Sequence, residues 1–282
     1  MLRNLPAIAL MGVVLACPAA SVARPMQIVD DSGGVMPAYA DVAGLTLMAP
    51  LVISGSIRSA SKITGADAAG VPAGVQRYYV TLDVQSLLRG DSAVPAQIGY
   101  VLDIPLIAGQ RPPKLRKQRV ILFARPVANR PELVQLVDTD AQRNWSAELE
   151  QLTRQIVADV LKPSAPPAIT GVGNAFYVPG TLPGEGQSQI FLTTDAGQPV
   201  SLIVEHQPGA APRWSVSFSD LVDQAAPPPP RDSFAWFRLA CGLPGSLPDT
   251  SIAADDSTAA AILRNDYARI VRDLGPCTGK RG

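Results

Sequence analysis

Leu51-Val52-Ile53-Ser54-Gly55-Ser56-Ile57 is a run of strand length, rich in β-branched side chains, and four comparable runs follow it. Tyr78-Tyr79-Val80-Thr81-Leu82-Asp83-Val84 comes after the glycine-bounded loop 65–74, and QIGYVLDI (97–104) is the third. QRVILFAR (118–125) and ELVQLV (132–137) read as a hairpin around a turn that carries Pro126, Asn129 and Pro131. Five strands within about ninety residues predict a small barrel. The apolar segments begin near Ala43, behind the polar run Asp30-Asp31-Ser32-Gly33-Gly34, so the barrel is expected over 43–140 and a tail over 24–42.

Three pieces of this region share a pattern: Val52-Ile53-Ser54-Gly55-Ser56-Ile57, Leu82-Asp83-Val84-Gln85-Ser86-Leu87-Leu88-Arg89-Gly90-Asp91, and Val120-Ile121-Leu122-Phe123. Together they resemble the netrin-like or tissue-inhibitor-like OB barrels of bacterial exported proteins, whose pattern runs V-x-G-x-V, then V-x-x-V-L-K-G, then a strand that ends the barrel. The resemblance implies an OB-like fold for the N-terminal half. In the inhibitor branch of that family an N-terminal cysteine chelates the target's zinc. The expected mature chain offers no free cysteine there, so inhibition stays an analogy.

Beyond the barrel the period changes. Trp145, Leu149, Leu152, Ile156, Val157, Val160 and Leu161 recur at spacings of three and four, an amphipathic helix within 141–162. KPSAPPA (162–168) follows, and 163–168 reads as a semi-rigid proline-rich linker. The remainder, 169–282, opens with an apolar run at 169–178. A three-stranded meander over 189–194, 200–206 and 214–218 comes next, with Trp214, Val216 and Phe218 alternating against Ser215 and Ser217. Pro227 to Pro230 break the chain before Phe234, Trp236 and Phe237. A last helix spans 257–274, capped by Asp256 or Ser257, with Ile262, Leu263, Ile270, Val271 and Leu274 as its apolar face. The expected fold is mainly β with flanking helices: an OB-like five-stranded barrel, then a second β-meander plus C-terminal helix domain.

The first residues predict export. Met1-Leu2-Arg3-Asn4 carries one positive side chain, and LPAIALMGVVLA (5–16) is an apolar stretch well short of the roughly twenty residues that span a bilayer. Ser21-Val22-Ala23 offers the small residues a signal peptidase reads, which makes 1–23 the signal and Arg24 the mature start. Val14-Leu15-Ala16-Cys17 offers a competing, lipobox-like site at which Cys17 would carry lipid. Either cleavage leaves no transmembrane helix in the mature chain and only Cys241 and Cys277, an even pair that predicts a disulfide in an oxidising compartment.

Composition narrows function without naming it. Twenty-four basic and 24 acidic side chains give a formal net charge of zero, so nothing recruits nucleic acid. Hydrophobic residues at 47% provide for a packed core, while 27 prolines and 23 glycines favour short strands and turns over long helices. The single histidine, His206, closes a strand and excludes His-pair metal motifs. Ser59-Ala60-Ser61-Lys62 spells the S-x-x-K of penicillin-recognising enzymes without its companion motifs. Asp31-Ser32-Gly33 spells half of an aspartic-protease pair. Asp138-Thr139-Asp140 offers two carboxylates to a hard cation or to a helix start. Gly171-Val172-Gly173 and Gly184-Glu185-Gly186 lack the third glycine of a nucleotide loop, and Arg89-Gly90-Asp91 reads as a turn. No cofactor, metal set or catalytic set is expected.

One charge anomaly stands out. Arg111, Lys114, Arg116, Lys117 and Arg119 put five cations within nine residues, with no acid among them. Such a stripe is either a solvated loop or an anion-binding patch, and in the envelope its anionic partner would be a glycan or lipid. The sequence therefore points to a periplasmic or secreted binding or assembly module, with an envelope protein or an anionic glycan or lipid as partner. The alternatives are a periplasmic hydrolase assembled from distant residues, or a protease inhibitor by family analogy.

Overall fold

The path of the first barrel strand turns on Gly55. β1 (Leu51–Lys62) pairs antiparallel with β2 (Val75–Arg89) along nearly its whole length and with β4 (Arg119–Val127) along its first half. A Cβ at Gly55 would stand 2.4 Å from the Asp83 carbonyl oxygen and 2.8 Å from Leu82 Cδ2. Any side chain would force the strands apart where their register shifts, so the bend requires glycine. β3 (Gln97–Pro105) pairs with β2, and β5 (Arg130–Leu136) with β4 across a two-residue turn in which Asn129 takes a positive φ of 59°. β3 and β5 run parallel and meet at Gly99 and Leu133, which closes the order β1-β2-β3-β5-β4 back onto β1. The molecule is mainly β, with the closed five-stranded barrel that the strand pattern predicts. The computed structural model describes residues 38–106, 112–219, 225–253 and 256–277. The expected signal with Cys17, the Asp31-Ser32-Gly33 motif and Arg111 lie outside the described residues.

Alternation fills the barrel. Ile53 and Ile57 from β1, Val80 and Leu82 from β2, Ile98 and Leu102 from β3, and Val120 and Leu122 from β4 point inward and are buried. Each such side chain contributes about 1.5–3 kcal/mol by leaving water. Tyr100 is buried with them and donates its hydroxyl to Gln142 Oε1 at 2.6 Å. Burial pushes the Tyr100 phenol well above its ordinary pKa.

Two helical expectations need correction. The sequence reading runs a tail to residue 42 and starts the barrel at 43, yet α1 (Tyr39–Met48) occupies that boundary and the barrel begins at Leu51. Tyr39, Ala40, Val42, Ala43, Leu45 and Thr46 are all buried, because α1 packs against α2 (Ala147–Val160) and α3 (Phe234–Gly242) and touches β4. A helix covered on most sides lacks the polar face by which sequence reveals a helix. The span 141–162 is also not all helix. β6 (Gln142–Asn144) first pairs with β4, then the Ser146 hydroxyl accepts the Leu149 N–H at 3.1 Å and starts α2.

The proline-rich stretch 163–168 is tied down. Ala165 N–H closes a turn onto the Lys162 carbonyl at 3.0 Å. Arg238 Nε donates to the Pro166 carbonyl at 3.0 Å, and Ala168 N–H to Asp195 Oδ1 at 3.0 Å. With Pro167 buried as well, the segment is packed surface rather than a spacer between free bodies.

Beyond it stand β7 (Ile169–Pro179), β8 (Gly186–Thr194), β9 (Val200–His206) and β10 (Arg213–Ser217), antiparallel in the order β10-β9-β8-β7. The expected meander thus gains β7 as a fourth strand. Trp214 and Val216 are buried as their alternation predicts, but the strand stops at Ser217, which is itself buried. α4 (Ser257–Leu274) lies on β7 and β8 and buries Leu263, Asp266, Tyr267, Ile270 and Leu274. Its cap is Asp256, whose carboxylate accepts the Thr258 and Ala259 N–H groups. α3 is capped by Ser233, and Trp236 Nε1 donates to the Leu274 carbonyl at 2.8 Å. Cys241 and Cys277 are bonded, with their Cα atoms 5.1 Å apart, so the end of α4 is pinned to α3 as expected. Among the described residues no helix is long and apolar enough to cross a membrane.

Candidate functional site

The outer end of β1 carries an irregularity with a chemical consequence. Ile57 pairs with Leu82 and Ser59 with Thr81, so Arg58 is the extra residue of a β-bulge. A bulge re-aims its side chain, and the guanidinium of Arg58 turns to Asp83, 3.1 Å away. The loop before β4 folds over the same edge. Lys117 N–H donates to the Ile57 carbonyl at 2.7 Å, Ile57 N–H to the Gln118 carbonyl at 2.8 Å, and Gln118 N–H to the Leu115 carbonyl at 3.1 Å. Leu115, only 6% exposed, anchors the turn in the barrel core, which leaves Arg116 and Lys117 held outward. Lys117 has φ 72°, a left-handed conformation that glycine or asparagine adopts at lower cost.

Between this loop and the strands lies a groove of about 860 Å³ lined by Arg58, Ser59, Thr81, Gln97, Lys114 and Arg116, with Tyr78 and Leu115 among its apolar lining residues. The volume suits a small ligand or one headgroup. Lys114 and Arg116 have no carboxylate partner among the described residues. Three cations thus border one hollow, and only Arg58 has a carboxylate partner among the described residues, Asp83.

The expected basic stripe divides in the fold. Lys114 and Arg116 line the groove, and Lys117 sits on the neighbouring turn. Arg119 is engaged elsewhere: its guanidinium lies 3.3 Å from the centre of the Trp145 ring, and its Nε donates to Gln85 Oε1 at 3.2 Å. Arg58, which joins them in the groove, and its partner Asp83 stand far from the stripe in sequence. The only signal pointing to them is the break in alternation after Ile57.

The fold does bring a serine, a histidine and an aspartate together, though in an unproductive order. Ser188 Oγ donates to Asp266 Oδ2 at 2.6 Å, and His206 Nε2 lies 2.8 Å from the same oxygen. A hydrolase needs the imidazole between nucleophile and acid, so that it can take the serine proton. Here the carboxylate stands between them, and Ser188 is fully buried. The cluster ties α4 to β8 and β9, with Tyr177 edge-on to the imidazole at 5.8 Å. His206, at the strand end, is held in this cluster by Asp266.

The remaining motifs fall on strands and turns. Ser59 and Lys62 lie on a strand, three residues apart, not on the helix start that S-x-x-K chemistry requires. Asp138 Oδ1 accepts from the Thr139 hydroxyl and the Asp140 N–H, which makes the Asp-Thr-Asp stretch a turn. Arg89 donates to the Thr46 carbonyl, joining the end of β2 to α1. Gly171 and Gly173 lie within β7, and Gly184 has φ 83° in the β7–β8 turn. Among the described residues no group of three His, Cys, Asp or Glu side chains is placed to hold a metal. No family of known proteins matches this chain, and no curated protein matches it either.

Proposed function

We propose that this chain is an exported, non-enzymatic binding module of the bacterial cell envelope, and that it seats an anionic ligand in the barrel groove. The observation that carries the reading is the convergence of Arg58, Lys114 and Arg116 on one hollow, two of them without a carboxylate partner among the described residues. Cations held close together by a folded loop repel one another, and an anion relieves that repulsion. The Cys241–Cys277 bond supports an oxidising compartment, in line with the leader at residues 1–23. The order of the Ser188–Asp266–His206 cluster, with the carboxylate between serine and imidazole, also favours a binding role over a Ser-His-Asp hydrolase.

Retention of the mature protein on a dextran sulfate column tests the reading. Wild type should be held and then released by salt, and K114E/R116E should run through at low salt. Identical elution of the two proteins would remove the groove as the ligand seat. The intact mass of the native protein decides its anchoring, since a chain starting at Arg24 is free and a diacylglyceryl adduct on Cys17 tethers it to a membrane.

A further inference from the structure

The chemistry of the groove lining favours one class of anion, and this step rests on the binding-module reading above. We infer that the groove takes a phosphate ester or pyrophosphate group, and that Asp83 competes with this ligand for Arg58.

Donors dominate the groove lining. Arg58 and Arg116 each present five N–H donors in a planar fork, and Lys114 presents three. Ser59 and Thr81 add hydroxyls, and Gln97 one amide. The lining is rich in donors and poor in acceptors. A phosphate group only accepts, and guanidinium forks match its geometry. A saccharide chain needs acceptors for its own hydroxyls and gains from an exposed aromatic face. The one aromatic residue in the lining, Tyr78, is 6% exposed and offers no such face.

Asp83 already occupies one of the three cations. Its pair with Arg58 is exposed on both sides, 58% for the arginine and 43% for the aspartate. Exposed ion pairs are weak and yield to a stronger partner. A monovalent anion gains little by displacing Asp83, whereas a di- or trivalent phosphate gains the attraction of all three cations at once. Asp83 therefore acts as a built-in competitor that sets a threshold of ligand charge. Its weakness also makes the exchange rapid.

Titration calorimetry at low salt is the test, on the mature chain with its disulfide intact. The probes are inorganic pyrophosphate, acetate, phosphatidic acid vesicles in a phosphatidylcholine background, and polygalacturonate. Pyrophosphate should bind and acetate should not. D83N should tighten pyrophosphate binding by up to about fivefold, the most an exposed pair of this kind contributes. K114Q/R116Q should weaken it tenfold or more. Binding to the vesicles without binding to pyrophosphate would support the phosphate class and identify its source as a lipid headgroup. Binding to polygalacturonate alone would overturn the phosphate inference and leave the anion-binding module standing. Weaker pyrophosphate binding by D83N, with an unchanged far-UV spectrum and melting temperature, would make Asp83 the group that orients Arg58 and overturn the competition. No heat with any probe, together with unchanged column retention of K114E/R116E, would overturn both readings.

Discussion

The barrel and the sheet-and-helix region beyond it hold their polar groups in opposite ways. In the barrel the core is largely apolar, and three cations gather outside it, on a bulge and on a loop anchored by Leu115. In the C-terminal region one carboxylate turns inward. Asp266 is 4% exposed between Ser188 and His206, Trp214 Nε1 donates to Asp273, and a disulfide closes the far end. A buried carboxylate with its donors satisfied fixes one arrangement of helix on sheet, whereas an exposed cation without a partner does nothing until something binds it. The contrast separates a region whose polar chemistry serves the fold from one whose polar chemistry is left available.

Substitutions can break this contrast or sharpen it. The largest effect belongs to C241S/C277S, which releases a link between residues 36 apart in sequence. It should cost about 3–4 kcal/mol in urea unfolding, with amide protection lost first in α3 and α4. Asp266→Ala should follow at about 1–3 kcal/mol, because it strands the buried Ser188 hydroxyl and removes the partner of the half-buried His206 ring. If this variant keeps wild-type stability, the clasp contributes nothing and the contrast fails on its C-terminal side.

Acid distinguishes the two regions next. The hydrogen bond from Arg77 holds the Asp103 carboxyl below its ordinary range, and the Thr258 and Ala259 N–H groups do the same for Asp256. Groups depressed in the fold stabilise it above their unfolded pKa, near 4, and that contribution disappears as pH falls through the lowered folded values. The urea midpoint should therefore drop below about pH 4, with D103N flattening the barrel's share and D256N that of α4. The smallest effect is expected at the groove. K117G relieves a left-handed lysine, so stability should change by less than about 1 kcal/mol while affinity for anions falls modestly. A large loss of stability would place the loop in the fold's energetics and blur the division between the two regions.

Much of this architecture is legible in the residues, and the reasons for the gaps are physical. The barrel strands announce themselves because each has one dry face, as Val80 and Leu82 do on β2. α2 and α4 announce themselves through a stripe of period 3.6. α1 and α3 carry no comparable mark: α1 is buried on most sides, and Phe234, Trp236 and Phe237 follow a proline run that reads as a break. The charge run from Arg111 to Arg119 is visible in one dimension, yet strand direction and the turn at Lys117 decide which cations share a hollow. That is why Lys114 and Arg116 meet Arg58 while Arg119 stacks on Trp145. The Ser188–Asp266–His206 cluster joins three elements 18 to 78 positions apart and leaves no local trace.

The closure of the barrel at Gly99 and Leu133 bears on how the chain assembles. Its other strand pairs share several partners, but β3 and β5 share this one. The Tyr79 hydroxyl covers the face of Gly99 so closely that a Cβ there would lie 2.1 Å from it. Hairpins β2–β3 and β4–β5 each form from neighbouring sequence, while the β3–β5 contact must wait until both are in place. A seam held by one ladder pair should be the first part of the barrel to open, and amide exchange in β3 and β5 beside Gly99 and Leu133 should report openings more frequent than global unfolding.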